Sequence, residues 1–418
     1  MHRTPPPHTP SATPRTRQTP RAPLTIIGGG LAGLTAAITA AEAGAKVTVY
    51  ESHHTLGGRA RTAEGPYRTN DGPHALYNGG PHWTWLSQRD LIGPLAPLPP
   101  LEAARMRLHH KGTLRRTPPF AMLKLLRPRR MGHDAPVDID FRTWATEQAG
   151  EEAAHAAANY SAVALFHHDP GSLSAAFVQE RLRRATKLPP EAHYPRGGWG
   201  DVVDRMAARA WNLGVRMETL SRVDGLDALR GHRHRTGPII VATSLDAARR
   251  LLKDDSLTWP SGRTVLVDLA VRTRRGDAFA VSDLDAPGWI ERFTAQDRTL
   301  APAGEQLLQG QFPIGPDESR ADGVARAEYL LDLAFPGWCE RITWRREATS
   351  NGRTGAVDPP GTSWRDRPAV DRGDDVYLAG DQVAAPGVLS EVSFNSALAA
   401  VSLALGRRSR DTLDLKQA

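Results

Sequence analysis

Closely spaced glycines separate an apolar segment from an alanine-rich one near the start of the chain, in the sequence Leu24-Thr-Ile-Ile-Gly-Gly-Gly-Leu-Ala-Gly33. A second short apolar segment, Lys46-Val-Thr-Val-Tyr50, follows and ends at Glu51. This pattern is typical of a βαβ unit that binds a dinucleotide, in which a strand, a glycine turn, a helix, a second strand and a terminal acid follow one another. The alternative is an apolar membrane segment, because Gly29 and Gly33 have the spacing of a helix-packing motif. Successive glycines weaken a helix, however, and the alternation that follows favours a strand.

The residues of the glycine turn suit a bound diphosphate. Gly28 permits a tight turn. Gly30 has no side chain to hold the phosphates away, and Leu31 and Ala32 follow it at the start of the helix. Gly33 lets the helix pack closely against the strand. The helix N-terminus offers free N–H groups and a partial positive charge to the anion.

Glu51 lies 18 residues after Gly33, at the end of the predicted second strand. A carboxylate at this place accepts hydrogen bonds from the ribose hydroxyls and repels a 2′-phosphate. The half-site, which includes the neighbouring Ser52, is therefore predicted to bind an FAD or NAD ribose in preference to NADP.

A second glycine pair with a cation occurs in Leu56-Gly-Gly58-Arg59-Ala-Arg61, and the loop Asn70-Asp-Gly72-Pro73-His74 comes soon after it. With these motifs the chain resembles the superfamily of flavin-dependent amine oxidases and phytoene (carotenoid) desaturases. The resemblance implies FAD as the nucleotide and places the Gly72–His74 loop beside the flavin ring. Arg59 is suited to neutralising the diphosphate. His74 is the one candidate catalytic residue, for orienting substrate or relaying a proton; the alternative is that it supports the cofactor loop.

The C-terminal part carries an independent match, in Asp375-Val-Tyr-Leu-Ala-Gly380-Asp381 and in Pro386-Gly-Val388-Leu389-Ser-Glu391. A strand that ends in Gly-Asp places a carboxylate where it can bind a ribityl hydroxyl, and the helix after it directs N–H groups at what lies above. In the superfamily this is the pyrimidine edge of the flavin, so the resemblance implies contacts with Val388 and Leu389. Taken separately, the Gly-Asp pair is equally consistent with an ordinary turn.

The predicted fold class is α/β, with a Rossmann-like FAD-binding domain of the GR2 type interleaved with an α+β substrate domain. Tyr194–Gly200 opens a predicted helix, Gly237–Thr243 predicts a buried strand, and the resemblance implies that the backbone of Val223 contacts the adenine. The FAD-binding domain is expected at residues 23–80, 190–250 and 346–410. The substrate or cap domain is expected at residues 81–189, where the pattern is helical, and 251–345, with strands at Thr264–Ala270 and Leu307–Phe312.

Length and composition limit the function classes. The chain has 418 residues, 40% of them hydrophobic, which suffices for the core of two domains. Residues 1–22 are rich in Pro, Thr and Arg and predict a disordered tail rather than a targeting peptide. Four arginines of this tail contribute to the net charge of +7, leaving +3, which does not indicate nucleic-acid binding. The single cysteine, Cys339, suits a reducing cytoplasm and is expected to be a buried thiol, with the flavin bound non-covalently.

Paired histidines and one apolar stretch bear on possible metal and membrane contacts. The pairs His53-His54, His109-His110 and His167-His168 lack ligand spacing, so they are predicted to be surface or loop residues without a metal. The apolar stretch Pro118–Arg127, beside Arg129 and Arg130, fits either the buried face of a cap helix or a peripheral contact with a membrane.

Two enzyme functions and one binding function remain open. Many amine oxidases of the superfamily carry a lysine on the substrate sheet near the flavin, but the six lysines of this chain lie outside the strands predicted at Thr264–Ala270 and Leu307–Phe312. This favours a desaturase or dehydrogenase that takes hydride from a small or apolar organic molecule, with oxygen or another carrier as electron acceptor. The alternatives are an amine oxidase releasing an imine and hydrogen peroxide, and a binding protein that resembles the GDP-dissociation inhibitors.

Overall fold

The computed structural model describes residues 23–71, 75–127, 134–187, 189–229 and 237–406. The predicted tail and the Gly72–His74 loop lie outside these residues, as do Arg129 and Arg130. The strands are β1 (Leu24–Ile27), β2 (Val47–Tyr50), β3 (Leu76–Tyr77), β4 (Leu95–Ala96), β5 (Arg107–His110), β6 (Thr113–Arg115), β7 (Ala192–Pro195), β8 (Arg216–Glu218), β9 (Ile239–Val241), β10 (Ser261–Arg272), β11 (Ala280–Asp283), β12 (Trp289–Arg292), β13 (Glu305–Pro313), β14 (Ile342–Ala356) and β15 (Val376–Leu378). The α-helices are α1 (Leu31–Glu42), α2 (Pro81–Ser87), α3 (Pro100–Ala103), α4 (Phe141–Ala149), α5 (Glu151–Leu165), α6 (Ala175–Ala185), α7 (Trp199–Asn212), α8 (Leu245–Leu252), α9 (Arg320–Ala334) and α10 (Ser390–Ala404).

A five-stranded parallel sheet in the order β15-β9-β1-β2-β8 confirms the Rossmann-like prediction. Its strands are short, and all except the edge strand β8 are apolar, as is typical of a parallel sheet covered by helices. Helix α1 packs against both α7 and α10, and buries Leu34 and Ile38 completely. Its alanines let it approach the sheet closely, which brings its N-terminus to the carboxyl end of β1, where ligands bind in such folds.

A second sheet of seven strands has the order β14-β10-β13-β12-β11-β5-β6. Strand β10 pairs antiparallel with both β13 and β14, as a long twisted ribbon. Alternate residues of β10, from Val265 to Val271, point into a core that includes Leu330 and Leu331 of α9. The intervening residues face the opposite way, towards the parallel sheet, and this face borders the candidate site described below.

Two details of the second sheet differ from expectation. The residues 81–189, predicted to be helical, also contain β5 and β6, which extend the sheet because β5 pairs in parallel with β11. Strand β14 continues to Ala356, so the domain boundary expected at residue 346 falls inside a strand of this sheet. A small third sheet has the order β3-β7-β4. It pairs β3 and β4, which precede helices α4 to α6 in the sequence, with β7, which follows them.

Helices α4, α5 and α6 form a cap with its own core around Phe141 and Leu182. The apolar segment before them forms a 3₁₀ helix, Phe120–Leu126, that buries Met122 and Leu125 but leaves Phe120 87% exposed. Among the described residues, no helix combines the length and apolar character needed to cross a membrane.

The structure corrects two predictions about single residues. His109 and His110, expected at the surface or in a loop, are buried in β5 with exposed fractions of 4% and 3%. Cys339, expected to be buried, is exposed, at the start of a short 3₁₀ helix. The spacing of the histidines in the sequence did not show their burial, because it depends on the pairing of β5 with the distant strand β11.

Candidate dinucleotide and substrate site

The glycine turn after β1 requires glycine for steric reasons. Gly28 has a φ of +107°, and a Cβ there would lie 2.5 Å from the carbonyl oxygen of Ala242 on the neighbouring strand. A Cβ on Gly33 would lie 1.9 Å from the carbonyl oxygen of Gly28. The glycine turn is therefore in direct backbone contact with the first turn of α1. Because its glycines carry no side chains, the backbone N–H groups at the helix start remain open to an anion.

Glu51 is held at the end of β2 by several donors. Its Oε2 accepts a hydrogen bond of 2.7 Å from the backbone N–H of Gly29, and its Oε1 accepts one of 2.9 Å from the backbone N–H of His53. Burial alone would raise the pKa of this carboxyl, but these hydrogen bonds outweigh it and leave the pKa below its usual value. Glu51 is therefore an anion fixed next to the glycine turn.

The second glycine pair docks on the first glycine turn. The N–H of Gly57 donates to the carbonyl of Gly29 at 2.8 Å, and Gly58 has a φ of +58°. The next residue, Arg59, reaches the C-terminal motif, where its Nη1 lies 2.7 Å from Oδ2 of Asp381. Gly380, before this aspartate, is fixed to α10 because its N–H donates to the hydroxyl of Ser396 at 2.9 Å.

One cavity of about 870 Å³ joins these segments. This volume lies in the upper part of the range for ligand pockets. Most residues of the predicted site line the cavity: Gly28, Gly30, Leu31, Ala32, Glu51, Ser52, Gly58, Arg59, Val223, Gly380, Asp381 and Leu389.

The other predicted site residues have different positions. Gly33 packs against Gly28, beneath the turn, and is not part of the lining. Val388 is buried, and its N–H donates to Oε2 of Glu391 at 3.0 Å. Gly72, Pro73 and His74 lie outside the described residues, although Asp71 and Ala75 on either side of them line the cavity.

The start of α10 is conformationally strained. Leu389, the residue before the helix, has φ of 54° and ψ of −118°, a region that non-glycine residues rarely adopt. The first turn is held by Glu391, which bonds Arg184 of α6 at 3.0 Å. Strain of this kind persists only where the surroundings enforce it, and it often occurs at functional sites. Here it directs Leu389 and Ser390 into the cavity wall.

The strands predicted at Thr264–Ala270 and Leu307–Phe312 form part of the cavity wall, but no residue of theirs was predicted to belong to the site. Thr264 and Leu266 of β10, Gln311 of β13 and Ser350 of β14 line the cavity, together with Phe166 at the end of α5. The alternation of polar and apolar residues in β13 was the available signal. It shows that one face is polar, but it does not show what that face contacts.

Deeper on the same sheet face, Asp268 is part of a buried ionic network. Arg346 donates to its Oδ2 at 2.8 Å and Gln309 donates to its Oδ1 at 2.9 Å. Burial raises the pKa of Asp268 to about 6, although Arg346 acts in the opposite direction. Arg346 also donates to Asp71 at 3.0 Å and to the carbonyl of Asn70 at 3.2 Å. These bonds join the segment at Asn70 and Asp71 to the sheet.

The cavity residues suit an extended dinucleotide. The glycine cradle offers bare backbone and a helix N-terminus to a diphosphate, and Glu51 stands at the ribose position expected for a dinucleotide without a 2′-phosphate. Arg59, Arg61 and Arg222 also border the cavity, and each is paired there with an aspartate that lines it, namely Asp381, Asp71 and Asp224.

One group of side chains in the described part of the chain has metal-ligand geometry, far in sequence from these motifs. It consists of His109, Asp283 and Asp285, whose ligand atoms lie within 4.8 Å of one another. Its members are already hydrogen-bonded: Nδ1 of His109 lies 2.8 Å from Oδ1 of Asp283, which also accepts from the N–H of Asp285. The group joins β5 to the end of β11, so a structural role accounts for its contacts.

Comparison with known proteins agrees with this description. Residues 26–91 match the family described as NAD(P)-binding Rossmann-like domain. Curated protein sequences give no match. An oxidoreductase from Methanosarcina mazei has a similar structure, with a TM-score of 0.71 and 16% identity over 90% of this chain and 99% of that one.

Two other solved structures are similar to this chain. Cyclohexylamine oxidase from Brevibacterium oxydans has a TM-score of 0.68 and 19% identity, over 93% of this chain and 99% of that one. A Rab GDI from Plasmodium falciparum has a TM-score of 0.56 and 11% identity, over 93% and 99%. At these identities the likeness is one of fold.

The chain therefore has a dinucleotide-binding Rossmann-like sheet beside a second, seven-stranded sheet, in a fold that it shares with the oxidoreductase from Methanosarcina mazei and with cyclohexylamine oxidase. This agrees with the resemblance to the amine oxidase and phytoene desaturase superfamily that the sequence motifs carry.

Proposed function

We propose that this protein is an FAD-dependent oxidoreductase that removes hydride from a small or apolar organic molecule. The main support is that Gly28 and Arg59, from two N-terminal motifs, and Asp381, from the distant C-terminal motif, line one cavity with the dimensions of a cofactor site. An extended nucleotide needs contacts of this kind at its diphosphate, its ribose and its far end.

Each of these residues has a binding role in the proposal. The N-terminus of α1 and the bare backbone of Gly30 hold the diphosphate. Glu51 accepts hydrogen bonds from the adenosine ribose, and Asp381 accepts one from the ribityl chain while Arg59 balances the negative charge. When bound, FAD supplies a two-electron acceptor for a hydride from a substrate carbon, and oxygen or another carrier then takes the electrons.

The desaturase or dehydrogenase reaction is preferred to amine oxidation. In the part of the chain that the structure describes, no strand of the seven-stranded sheet contains a lysine. Many amine oxidases of the superfamily that the chain resembles carry a lysine on this sheet. The residues that line the cavity from this sheet are uncharged: Thr264, Leu266, Gln311, Ser350, Thr354 and Gly355.

Cofactor content tests the proposal directly. The purified full chain is expected to be yellow, to release FAD on acid precipitation without a covalent residue, and to regain its flavin spectrum when FAD is added back. Glu51→Gln is expected to lower FAD affinity, while Glu64→Gln, at an exposed position, serves as the matched control. A colourless protein that takes up no FAD would contradict the proposal and favour the binding function instead.

Anaerobic reduction of the bound flavin separates the two enzyme reactions. Apolar polyenes, neutral alcohols and amines are each mixed with the oxidised protein, and the loss of flavin absorbance is followed. Bleaching by polyenes or alcohols supports the desaturase or dehydrogenase, and bleaching by amines alone supports the amine oxidase.

A separate observation supports peripheral membrane contact. Phe120 and Leu123 are 87% and 47% exposed on the 3₁₀ helix, beside the basic Lys124 and Arg127. We therefore propose that this segment touches anionic membranes. Sedimentation with phosphatidylserine vesicles is expected for the native chain and reduced for Phe120→Ser. Trp211→Ser, which changes an aromatic side chain that is 68% exposed on α7, is the control. Absence of sedimentation would contradict the membrane contact.

A further inference from the structure

The sheet face that borders the cavity carries buried polar atoms without a hydrogen-bond partner. Oε1 of Gln311 and Oγ1 of Thr264 have none, although these residues are only 5% and 2% exposed. Nε1 of Trp289 is also buried and without a partner. Buried polar groups are nearly always paired in proteins, because an unpaired one loses its hydration without compensation. Unpaired polar atoms at a cavity wall therefore indicate a ligand that pairs them.

The strand register places these groups side by side. Gln311 of β13 lies opposite Leu266 of β10, and Thr264 of β10 lies opposite Ser350 of β14. Leu266 and Thr264 are two residues apart and so project from the same face. The result is one patch, Thr264, Leu266, Gln311 and Ser350, in which hydrogen-bonding groups surround an apolar centre. We call it the polar wall.

Strand β14, which supplies Ser350 of the polar wall, reaches the C-terminal motif of the cofactor site at its C-terminal end. The N–H of Ala356, at the end of β14, donates to the carbonyl of Asp381 at 3.2 Å. We place the substrate end of the cavity at this wall, because the wall belongs to the seven-stranded sheet, whereas Glu51 and the glycine turn belong to the parallel sheet. A substrate has to occupy this end if hydride is to pass from it to the cofactor.

Phe166 supplies an aromatic surface at the same end. It has φ of 52° and ψ of 30°, a left-handed conformation that is strained for a bulky side chain. The carbonyl of Phe166 would lie 2.0 Å from a Cβ on Gly262 of β10, so only glycine permits this contact. The cap helix α5 is thereby joined to β10, and Phe166 lines the cavity with Leu266.

The carboxylates near the polar wall do not offer a free negative charge. Asp268 is paired with Arg346 at 2.7 Å. Glu291 of β12 lies opposite Gln309 and is bonded by Gln296 at 2.9 Å and by the hydroxyl of Tyr194 at 3.3 Å. Burial raises the pKa of Glu291 to about 8, so its carboxyl is mainly protonated at neutral pH. Neither Asp268 nor Glu291 therefore offers a cationic amine an unpaired carboxylate on this face.

We propose that Gln311 and Thr264 position a neutral, largely apolar substrate through its single hydroxyl, carbonyl or amide group, with Leu266 and Phe166 packing on its apolar part. This inference rests on the proposed function and names the substrate class for it. An amide and a hydroxyl each donate and accept hydrogen bonds, so the pair serves either polarity of the substrate group.

Matched ligands test the substrate class. One set consists of cyclohexanol, cyclohexanone, cyclohexylamine and methylcyclohexane, and a second set carries the same groups on the two-ring decalin skeleton. Binding to the FAD-loaded protein is measured by the rise in melting temperature and by perturbation of the flavin spectrum. In at least one set, an oxygen-bearing member is expected to bind at least about tenfold more tightly than the amine and the hydrocarbon.

Three variants assign this preference to the polar wall. Gln311→Leu and the nearly isosteric Thr264→Val are expected to abolish the tenfold preference while FAD content stays unchanged. The control is Gln306→Leu, on the same strand but on the opposite sheet face, where another glutamine has an unpaired Oε1. This variant is expected to retain the preference.

Several results would overturn the inference. These are equal or tighter binding of the amine or the hydrocarbon, no binding by any member of either set, or loss of FAD from Gln311→Leu or Thr264→Val. Failure of the proposed function appears separately, as a protein that takes up no FAD. The melting-temperature assay still reports on the polar wall in that case.

Discussion

Arg59 and Asp381 are 322 residues apart in the sequence, yet Nη1 of the arginine lies 2.7 Å from Oδ2 of the aspartate. The contact joins the segment after β2 to the turn after β15, and both residues line one cavity. Both partners are charged and partly open to that cavity, so either can exchange this contact for one with a ligand. The pair marks where the N-terminal and C-terminal motifs meet.

We expect Asp381→Ala to weaken FAD binding about tenfold, because a hydrogen bond to a charged group contributes about 1.5 kcal/mol. Arg59→Ala is expected to weaken it similarly, through loss of the cation near the diphosphate. The stability of the FAD-free protein should change by less than about 1 kcal/mol, since exposed ion pairs contribute little. Titration calorimetry with FAD measures the affinity, and Arg89→Ala, which breaks the ion pair with Glu42, is the control. Unchanged affinity in both cavity variants would contradict the assigned roles.

The close contact between Gly33 and Gly28 predicts a steric cost. Gly33→Ala should lower the free energy of unfolding by about 1–3 kcal/mol, although alanine is otherwise the better helix former. The reason is that the new Cβ would lie 1.9 Å from a backbone oxygen, which cannot move aside without shifting the turn. Urea denaturation measures the change. Gly225→Ala, where a Cβ meets nothing within 4 Å, should be close to neutral. Equal stability of the two variants would show that the turn adapts freely.

Glu291 predicts a specific pH dependence of stability. Burial raises its pKa from the usual 4.5 to about 8, so the folded protein retains a proton that the unfolded chain releases over this range. This contribution to stability is therefore complete below pH 4.5 and decreases as the pH rises towards 8. The decrease is at most about 1.4 kcal/mol per pH unit.

Glu291→Gln removes this titration while keeping the shape of the side chain. The melting temperature of the variant, relative to the native protein, is expected to rise between pH 5 and pH 8, a range chosen around the shifted pKa. The exposed Glu64→Gln should show no such trend. Parallel pH curves for all three proteins would exclude an effect of Glu291 on stability.

The exposed Cys339 predicts a thiol that reacts without disturbing the cofactor. Slight desolvation and the carboxylates of Asp332 and Glu340 raise the pKa of this thiol, so alkylation should be slow at neutral pH and faster in alkaline buffer. Mass spectrometry is expected to show one alkyl group per native chain, with FAD still released by acid. Flavin that stays with the alkylated, precipitated protein would contradict non-covalent binding.

Local patterns were sufficient for the parallel sheet. The glycine turn, α1 and β2 are contiguous, and each forms for reasons that its own residues carry, such as the positive φ at Gly28. The segments that become β9 and β15 are short apolar stretches with clear ends, so their strands were predicted as well. The local patterns do not give their order in the sheet, in which β9 pairs with β1 and β15 pairs with β9.

The hairpin β5–β6 shows where local patterns fail. Its strands have 4 and 3 residues, too few to establish a period, and they lie in a basic segment interrupted by prolines. The position of this hairpin in the sheet depends on the pairing of β5 with β11, which lies far along the chain. The burial of His109 has the same origin, since its partner Asp283 ends that distant strand.

The sequence by itself determined the dinucleotide-binding unit, because a tight turn, a close helix contact and a terminal acid are demands that neighbouring residues meet. Only the tertiary structure decided what the cavity presents to a substrate. Thr264, Gln311 and Phe166 come from three elements, and strand register and the close contact at Gly262 bring them together. Register between distant strands depends on the packing of the whole core, and no local sequence pattern specifies it.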